Sequence, residues 1–452
     1  MPATHRSTEP PAPPVHQLDE LERLTHSELE ARVHRPLLAD QLAHILRHSA
    51  FYRERLGDLS PGVALARFTT LPFSGKRAIL ADQAAHPPYG RLAAPQRDLR
   101  RVHTTSGTTG TPFCIVLTED DCAATLEAGR RAFRCAGLTA DDTVVHCLNY
   151  CLWAGGLTDH LSLEATGALV LPFGVGQTRR LLETILHQRP TAISCTPSYL
   201  SRLEVVLRDE LGMEPRALGL QKALCGGEGG LQSPAVRKRI EDRWGIQAID
   251  ANYGMADVLS IFGAECPARQ GLHFHGQGLL HVELIQPETG EPLPIVTGAV
   301  GELVATNLRR QAQPLLRYRT GDLWRVLGTD DCECGRSGLR FVPVGRADQM
   351  VIVRGVNVFP SAVAQLLGDG AEGAWFSGEF ELVLDRPPPI DAVLLRVELS
   401  SAVPDPERVR AYLLQLCRQR LNFTPQIELL SFGQFPRTEG KTPRVRRTYG
   451  AS

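Results

Sequence analysis

The sequence predicts an α/β protein, a large unit of layered sheets and helices followed by a small α+β unit at the C-terminus. Three observations carry this. Short apolar strand-like runs alternate with helix-like segments between residues 143 and 250, the pattern of a sheet covered by helices. A more β-rich stretch follows, from Leu280 to Asn307. After Gly345-Arg346-Ala347-Asp348 the character changes, and what remains reads as one compact unit of about 100 residues, the usual size of a small domain. The expected division is 1–16, 17–347 and 348–452.

Met1 to Val15 is rich in Pro, Thr and Glu and has no apolar core, so it reads as a disordered lead-in rather than a signal peptide. From Gln17 to Leu56, Leu and Ala recur at three- and four-residue spacing, the period of a helix. Thr143–Leu148, Ala168–Pro172, Ala192–Cys195, Lys222–Cys225 and Ile246–Asp250 read as short buried strands, with helices at Thr178–Gln188 and Pro234–Trp244 between them. Such layering places ligand chemistry at the C-terminal ends of the strands. Leu280–Ile285 and Gly301–Asn307 are further strands, separated by the turn Pro287-Glu288-Thr289-Gly290. Beyond residue 349 the order is a strand pair, a helix (Pro360–Leu367), two strands (Glu379–Leu384 and Ala392–Leu399) with a turn at Arg386–Pro389, a helix (Pro406–Arg420) and a strand (Gln426–Leu430).

With 452 residues, 43% hydrophobic, 22% charged and a net charge of −1, the chain has the balance of an ordinary globular protein. A nucleic-acid or membrane-surface protein would carry a basic footprint, which is missing. No run approaches the roughly 18 apolar residues of a membrane span. Eleven cysteines without a regular framework fit reduced thiols and a cytoplasmic location. Cys147, Cys151 and Cys195 read as small buried hydrophobes.

Ser106-Gly107-Thr108-Thr109-Gly110 is the segment richest in chemistry. Glycines let the backbone approach a ligand and turn its N–H groups inward, and hydroxyls add donors, so this loop can wrap a phosphate chain. It lacks the closing Gly-Lys-Ser/Thr of a P-loop. A second constellation is Cys332-Glu333-Cys334 with Cys266 and His273, two thiolates one residue apart plus a Cys and a His from another loop, which together can supply tetrahedral zinc ligands. His275 is an alternative ligand, because in a strand it shares a face with His273.

The order of motifs resembles the adenylate-forming enzymes, and within them the phenylacetate–CoA ligase type of aryl-CoA ligase. Leu71-Pro72-Phe73-Ser74-Gly75-Lys76 and Pro88-Tyr89-Gly90 look like that family's lead-in to the phosphate loop. Ala251-Asn252-Tyr253-Gly254-Met255-Ala256-Asp257 looks like its Tyr-Gly-x-(Ser/Thr)-Glu segment. Arg317 to Asp322, Gly345 to Asp348, Arg354 to Pro360 and Pro436-Arg437-Thr438-Glu439-Gly440-Lys441 follow in family order. The resemblance spans about residues 18 to 447 and implies a large adenylate-forming domain with a small mobile C-terminal domain. It implies activation of an aromatic acid by ATP with Mg²⁺, then transfer to coenzyme A. In that scheme Lys441 is the catalytic cation, Asp348 the hinge, and Ser106 to Gly110 the cradle for the β- and γ-phosphates. Asp322 accepts the ribose hydroxyls, Arg346 lies beside ribose and phosphate, and Tyr253 stacks on adenine. Asp250, Gly254, Gly227 and Glu228 complete the nucleotide site, with Gly226 at its border with the acyl pocket.

The segment matching His146–His160 lines the acyl pocket in the resembling enzymes. Here Tyr150 and Trp153 offer flat apolar faces, and the glycines Gly155 and Gly156, after Ala154 in the same pocket segment, leave room beside them, which suits an aromatic ring. Asn149 and Cys151 replace the usual glycines, so an amino- or hydroxybenzoate such as anthranilate is an expected acid alongside phenylacetate. Asp257 stands where the family has its Mg²⁺-contacting glutamate, one methylene shorter, after Ala256 in place of a hydroxyl residue; Gln349 replaces an acidic residue beside the hinge. In some members of the family a Cys/His cluster like the one above holds structural zinc. The expected partners are the aromatic acid, ATP and CoA, with neither nucleic acid nor membrane, and a homodimer left open. Two other readings stand beside this one: adenylation with transfer to an acyl carrier protein or other nucleophile, and a nucleotide-binding protein that has lost catalysis.

Overall fold

Five of the predicted strands pair in parallel, in the spatial order Leu169–Pro172, Thr143–His146, Ala192–Cys195, Lys222–Gly226 and Gln247–Met255. The computed structural model describes residues 18–105, 112–349, 351–354, 356–368, 373, 375–386, 390–400, 403, 405–435 and 444–449. The expected lead-in, Ser106 to Gly110, Lys441 and the last three residues of the Arg386–Pro389 turn lie outside them.

Alternation along these strands is two-sided. Val145, Ile193, Ala223, Cys225 and Ala248 face helices Thr178–Gln188, Pro197–Val206 and Pro234–Trp244, where Leu181, Ile185, Leu203 and Trp244 are buried. Val144, Ala192 and Leu224 point the other way, onto Phe133 and Leu163 of helices Glu119–Cys135 and Ala154–Glu164. A parallel sheet covered on both faces needs apolar residues at every position, which is why these strands read as continuous runs. Each fully buried Leu, Ile or Phe contributes about 1.5–3 kcal/mol. The helix Glu119–Cys135 starts in a reciprocal cap, Thr118 N–H donating to Asp121 Oδ2 (3.0 Å) and Asp121 N–H to Thr118 Oγ1 (3.2 Å).

Gln247–Met255 is longer than its sequence signal, and its second half changes partner. Up to Asn252 it pairs in parallel with Lys222–Gly226; from Tyr253 it pairs antiparallel with Leu259–Glu265. From there the sheet continues antiparallel through Leu272–Phe274, Arg340–Arg346, Tyr318–Gly328, Val300–Asn307, Leu280–Ile285 and Pro292–Leu293, 13 strands in all with Ser74–Gly75 on the side. The N-terminal helices, chiefly Arg35–His48 and Ala50–Leu56, pack Leu42, Ile45 and Tyr52 against this antiparallel half. Leu99–Thr104 and Cys114–Thr118 form a separate two-stranded ladder that brackets residues 106–111.

Past Ala347–Gln349 comes the strand pair Val351–Val353 and Val356–Val358. A four-stranded sheet follows, ordered Gln426–Leu430, Leu394–Leu399, Phe376–Leu384 and Val445–Arg447. Helices Pro360–Gly368 and Pro406–Leu421 share a core with it through Val363, Leu366, Leu413, Phe380, Leu382 and Leu395. The strand Val445–Arg447 reads in sequence only as a basic tail. It forms because Arg444 and Arg446 meet Glu379 (2.6 Å) and Glu381 (3.2 Å) on the neighbouring strand.

Candidate active site and metal cluster

At residues 252–253 the strand changes from a parallel to an antiparallel partner, and Tyr253, Asp322 and Arg346 of the predicted nucleotide residues meet beside this switch. Tyr253 donates its hydroxyl to Asp322 Oδ2 at 2.7 Å, and Arg346 Nη1 donates to Asp322 Oδ1 across paired strands. Trp324 Nε1 donates to the Tyr253 oxygen at 2.8 Å and stacks on Phe341 with ring centroids 3.7 Å apart. Burial and the Asp322 carboxylate hold the Tyr253 phenol above its usual range, so it stays a donor. The arrangement presents a carboxylate with fixed oxygens beside a guanidinium. Gly254 is required by space: a Cβ there would lie 1.9 Å from the Ser260 carbonyl oxygen.

Gly226 pairs with Asn252 across an irregularity in the ladder. Just beyond it, Glu228 Oε1 accepts from Ser198 N–H at 2.6 Å, and burial raises its carboxyl. Asp250 is buried deeper. Burial, then the Glu265 charge, pushes it up to about 7 against the opposing Arg237, and Gln232 donates to its Oδ2. Asp257 Oδ2 accepts from the Tyr318 hydroxyl at 2.6 Å, which leaves its other carboxylate oxygen without a hydrogen bond among the described residues.

The ladder on either side of residues 106–111 in sequence is firmly anchored. Thr105 N–H donates to Phe113 O (3.1 Å), Thr104 N–H to Leu152 O (2.9 Å), and Gln83 clamps Cys114 through both its N–H and carbonyl. Leu152 belongs to the expected acyl segment, so the two regions adjoin. In that segment Tyr150 Oη lies 3.1 Å from His160 Nδ1, and His160 Nε2 lies 3.1 Å from Glu164. His146 is fully buried between Ser194 Oγ (3.1 Å) and Gly156 O (3.0 Å). The carbonyl fixes Nε2 as the protonated nitrogen, and burial lowers the imidazole to about 4, so it is neutral.

A Cβ added at Gly155 would meet Asp159 Oδ2 (3.6 Å), Leu148 Cδ1 (3.6 Å) and Trp153 Cε3 (3.8 Å) at ordinary van der Waals distance. Asp159 is 0% exposed. Asn252 donates to its Oδ2, while Oδ1 has no hydrogen-bond partner among the described residues, and burial raises the carboxyl well above its usual range. Asp159 and Asn252 escaped the sequence reading, although an acid on the apolar face of a helix is a visible signal. Trp324 and Arg310 escaped it too, and nothing local distinguishes them. Cys151 is exposed, not buried as expected, because it lies in the loop ahead of helix Ala154–Glu164.

Cys266, His273, Cys332 and Cys334 come together in a buried cluster with all four ligand atoms within 4.8 Å of one another. Cys266 Sγ is 3.9 Å from Cys332 Sγ, and Cys334 Sγ is 3.5 Å from His273 Nε2. These spacings are the edges of a tetrahedron with metal–sulfur bonds near 2.3 Å and metal–nitrogen bonds near 2.0 Å, about the values for zinc. Arg336 Nη1 approaches Cys334 Sγ at 3.8 Å while its Nε donates to Glu22 at 2.8 Å. His275, the alternative ligand, is outside the cluster. Its ring sits 6.4 Å from that of His273 and 3.6 Å from Glu22, one pleat too far along the strand direction.

A second group, Glu30, His34 and His281, is not a metal site. His34 Nε2 accepts from Gly278 N–H (3.1 Å), so its Nδ1 must carry the proton it shares with Glu30 (2.7 Å) and has no lone pair for a metal.

Residues 61–307 match the AMP-binding enzyme family and residues 355–447 its C-terminal domain. The chain is 34% identical to a phenylacetate-coenzyme A ligase of Thermus thermophilus over 445 residues, covering 93% of this chain and 96% of that one. With a phenylacetate-coenzyme A ligase of Escherichia coli it shares 32% over 439 residues, covering 95% and 97%. Among solved structures, 2-hydroxyisobutyryl-CoA ligase in its postadenylation state superposes with a TM-score of 0.86 at 27% identity, covering 97% and 94%. The same ligase in its thioesterification state gives 0.69, with the same coverage.

Proposed function

The chain belongs to the AMP-binding enzyme family, and we propose that within it this member activates an aromatic carboxylic acid bearing an amino or hydroxyl group. The reaction class is that of an AMP-forming acid–CoA ligase: ATP-dependent activation of a carboxylic acid, then formation of its CoA thioester. A carboxylate oxygen attacks the α-phosphorus of ATP, pyrophosphate leaves, and an acyl-adenylate results. The CoA thiolate then attacks the acyl carbon, and AMP, a far better leaving group than oxide, departs.

The observation that carries the site assignment is the Asp322–Tyr253–Arg346 group at the strand switch. A carboxylate with two hydrogen-bonded oxygens can still accept from ribose hydroxyls, since each oxygen has two lone pairs. Arg346 is 37% exposed in its side chain, so a ligand anion can approach its guanidinium beside Asp322. The first step joins two anions, so positive charge must stand at their meeting point. Lys441 is assigned that role, with Ser106 to Gly110 around the β- and γ-phosphates and Asp348 as the hinge of the C-terminal unit. Mg²⁺ would accompany the phosphates, with the spare oxygen of Asp257 as its protein contact, directly or through water.

Asp159 supports the choice of acid. Oδ2 of this buried carboxyl borders the Gly155 position and accepts from Asn252, and an apolar ring would leave its Oδ1 without a partner, at a cost of about 1–3 kcal/mol. A ring hydroxyl or amino group removes that cost, as in anthranilate or a hydroxybenzoate. The Cys266–His273–Cys332–Cys334 cluster would hold structural zinc, with all four positions filled by protein and none left open for chemistry.

Mass spectrometry of products from ATP, Mg²⁺ and a panel of aryl acids, with and without CoA, tests the reading. An amino- or hydroxy-substituted aryl-CoA is the expected product. Conversion of unsubstituted acids alone removes the proposed substituent, and adenylate that persists beside CoA points to an acyl carrier protein as acceptor. Lys441→Ala should cut adenylate formation by at least a hundredfold and leave ATP binding within about threefold, consistent with an interaction made in the transition state.

A further inference from the structure

A triphosphate needs a full positive charge where water is excluded, yet residues 102–118, which contain the phosphate loop, hold neither lysine nor arginine. The one basic side chain in that span is His103, and burial, with the charges of Arg101 and Arg310, holds its imidazole at about 4. It is neutral at physiological pH. The loop's own donors are therefore backbone N–H groups and hydroxyls.

Arg310 lies directly against this ladder. It follows strand Val300–Asn307 and is 8% exposed. The chain beside it is fixed to the strand that follows the loop and to the helix after that strand. Asp121, one turn into the helix that follows Cys114–Thr118, accepts from Gln311 N–H (2.7 Å) and Ala312 N–H (3.0 Å), and Gln313 Oε1 accepts from Val116 N–H (3.4 Å). On the other side Arg310 Nη1 donates to the carbonyl oxygens of Asp257 and Val258, both at 3.0 Å. The guanidinium thus sits between the phosphate-loop ladder and Asp257.

Its remaining edge is unpaired. Nε and Nη2 are buried and have no hydrogen-bond partner among the described residues. Neither nearby acid meets that edge: Asp121 is held by Thr118, Gln311 and Ala312, and Asp257, bonded to Tyr318 through one oxygen, makes no hydrogen bond to Nε or Nη2. An arginine cannot shed its charge, and a buried unpaired guanidinium edge costs several kcal/mol unless an anion meets it. Two parallel N–H groups on one edge match two oxygens of a phosphate.

We propose that Arg310 binds the β,γ-phosphates of ATP, and the pyrophosphate formed from them, through Nε and Nη2, supplying the cation that the phosphate loop lacks. This rests on the adenylate-forming reading above. It makes Arg310 a substrate-binding residue that acts on the leaving group, distinct from Lys441 at the α-phosphate.

Binding of ATP, inorganic pyrophosphate and AMP to wild type, Arg310→Gln and Arg310→Lys, by titration calorimetry, tests it. The Gln variant is expected to weaken ATP and pyrophosphate at least tenfold while AMP stays within twofold. The Lys variant keeps the charge but not the fork and should fall between. Equal weakening of all three ligands would mean that Arg310 only supports the fold, and unchanged pyrophosphate affinity in both variants would also overturn the proposal. If the Gln variant does not fold, the Lys variant decides on the same two criteria. A wild-type chain that binds neither ATP nor AMP would instead sink the adenylate-forming reading, so the two failures are distinguishable.

Discussion

Asp159 and His146 are both buried, both titratable and 13 positions apart on the acyl side, but they are held in place differently. His146 has a partner on each nitrogen; Asp159 has a free oxygen. Replacing Asp159 with Ala should therefore act on substrate choice. We expect kcat/KM for an amino- or hydroxybenzoate to fall about tenfold or more, some 1.4 kcal/mol, with phenylacetate unchanged or improved. An equal loss for both acids would show that the carboxyl does not read the ring. His146 should act on stability. Its folded pKa, about 4, lies below the 6.5 of a free imidazole, so on acidification the unfolded chain takes up the proton first. The stabilisation is complete above about pH 6.5 and is lost as the pH falls through about 4, on the order of 3 kcal/mol at most. His146→Gln should flatten the fall of the urea midpoint between pH 7 and 4.5; an unchanged slope would reject this assignment. At this scale sequence is least legible. Arg309 and Arg310 are neighbours of the same type, one 46% exposed in its side chain, the other buried, and only tertiary packing tells them apart.

Among the elements, those with one dominant period were legible and those built from partners far along the chain were not. Thr178–Gln188 and Pro234–Trp244 have the bounds their apolar spacing predicts. Tyr318–Gly328 and Arg340–Arg346 escaped, because charged and glycine positions interrupt any alternation and their pairing is set by each other. The Cys/His cluster lies between these cases. Cys-x-Cys spacing flags it, whereas the choice of His273 over His275 depends on one pleat of strand Leu272–Phe274 and the residues after it. Purified chain should contain one zinc by elemental analysis. Cys332→Ser should lose the metal and lower Tm by several degrees while the adenylation rate at 25 °C stays within about threefold, since a closed structural site stabilises the fold without touching substrate. Retention of full zinc and full Tm would reject the assignment.

For the whole molecule, the chain superposes better on the postadenylation state of 2-hydroxyisobutyryl-CoA ligase, at 0.86, than on its thioesterification state, at 0.69, and residues 234–244 meet the C-terminal unit. The contact is close: a Cβ on Gly368 would lie 2.5 Å from Val236, and Arg239 Nη1 is 3.5 Å from Gly373 O. If Asp348 is the hinge, this contact must break before thioester formation. Gly368→Val should then slow adenylate formation and leave thioester formation from supplied acyl-adenylate near wild type; parallel loss in both half-reactions would count against a hinge at that point. The same long-range construction governs how the chain is made. Glu22 waits 314 positions for Arg336, and Tyr52 waits 264 for Leu316. At about 5–20 residues per second a ribosome takes roughly 15–60 s to close the longer of these gaps. During that interval the first helices are without their native partners, with Leu42, Ile45 and Phe51 uncovered. Translation therefore leaves these apolar side chains without their native cover until residues near 336 emerge, and slow codons before that point would lengthen the exposure.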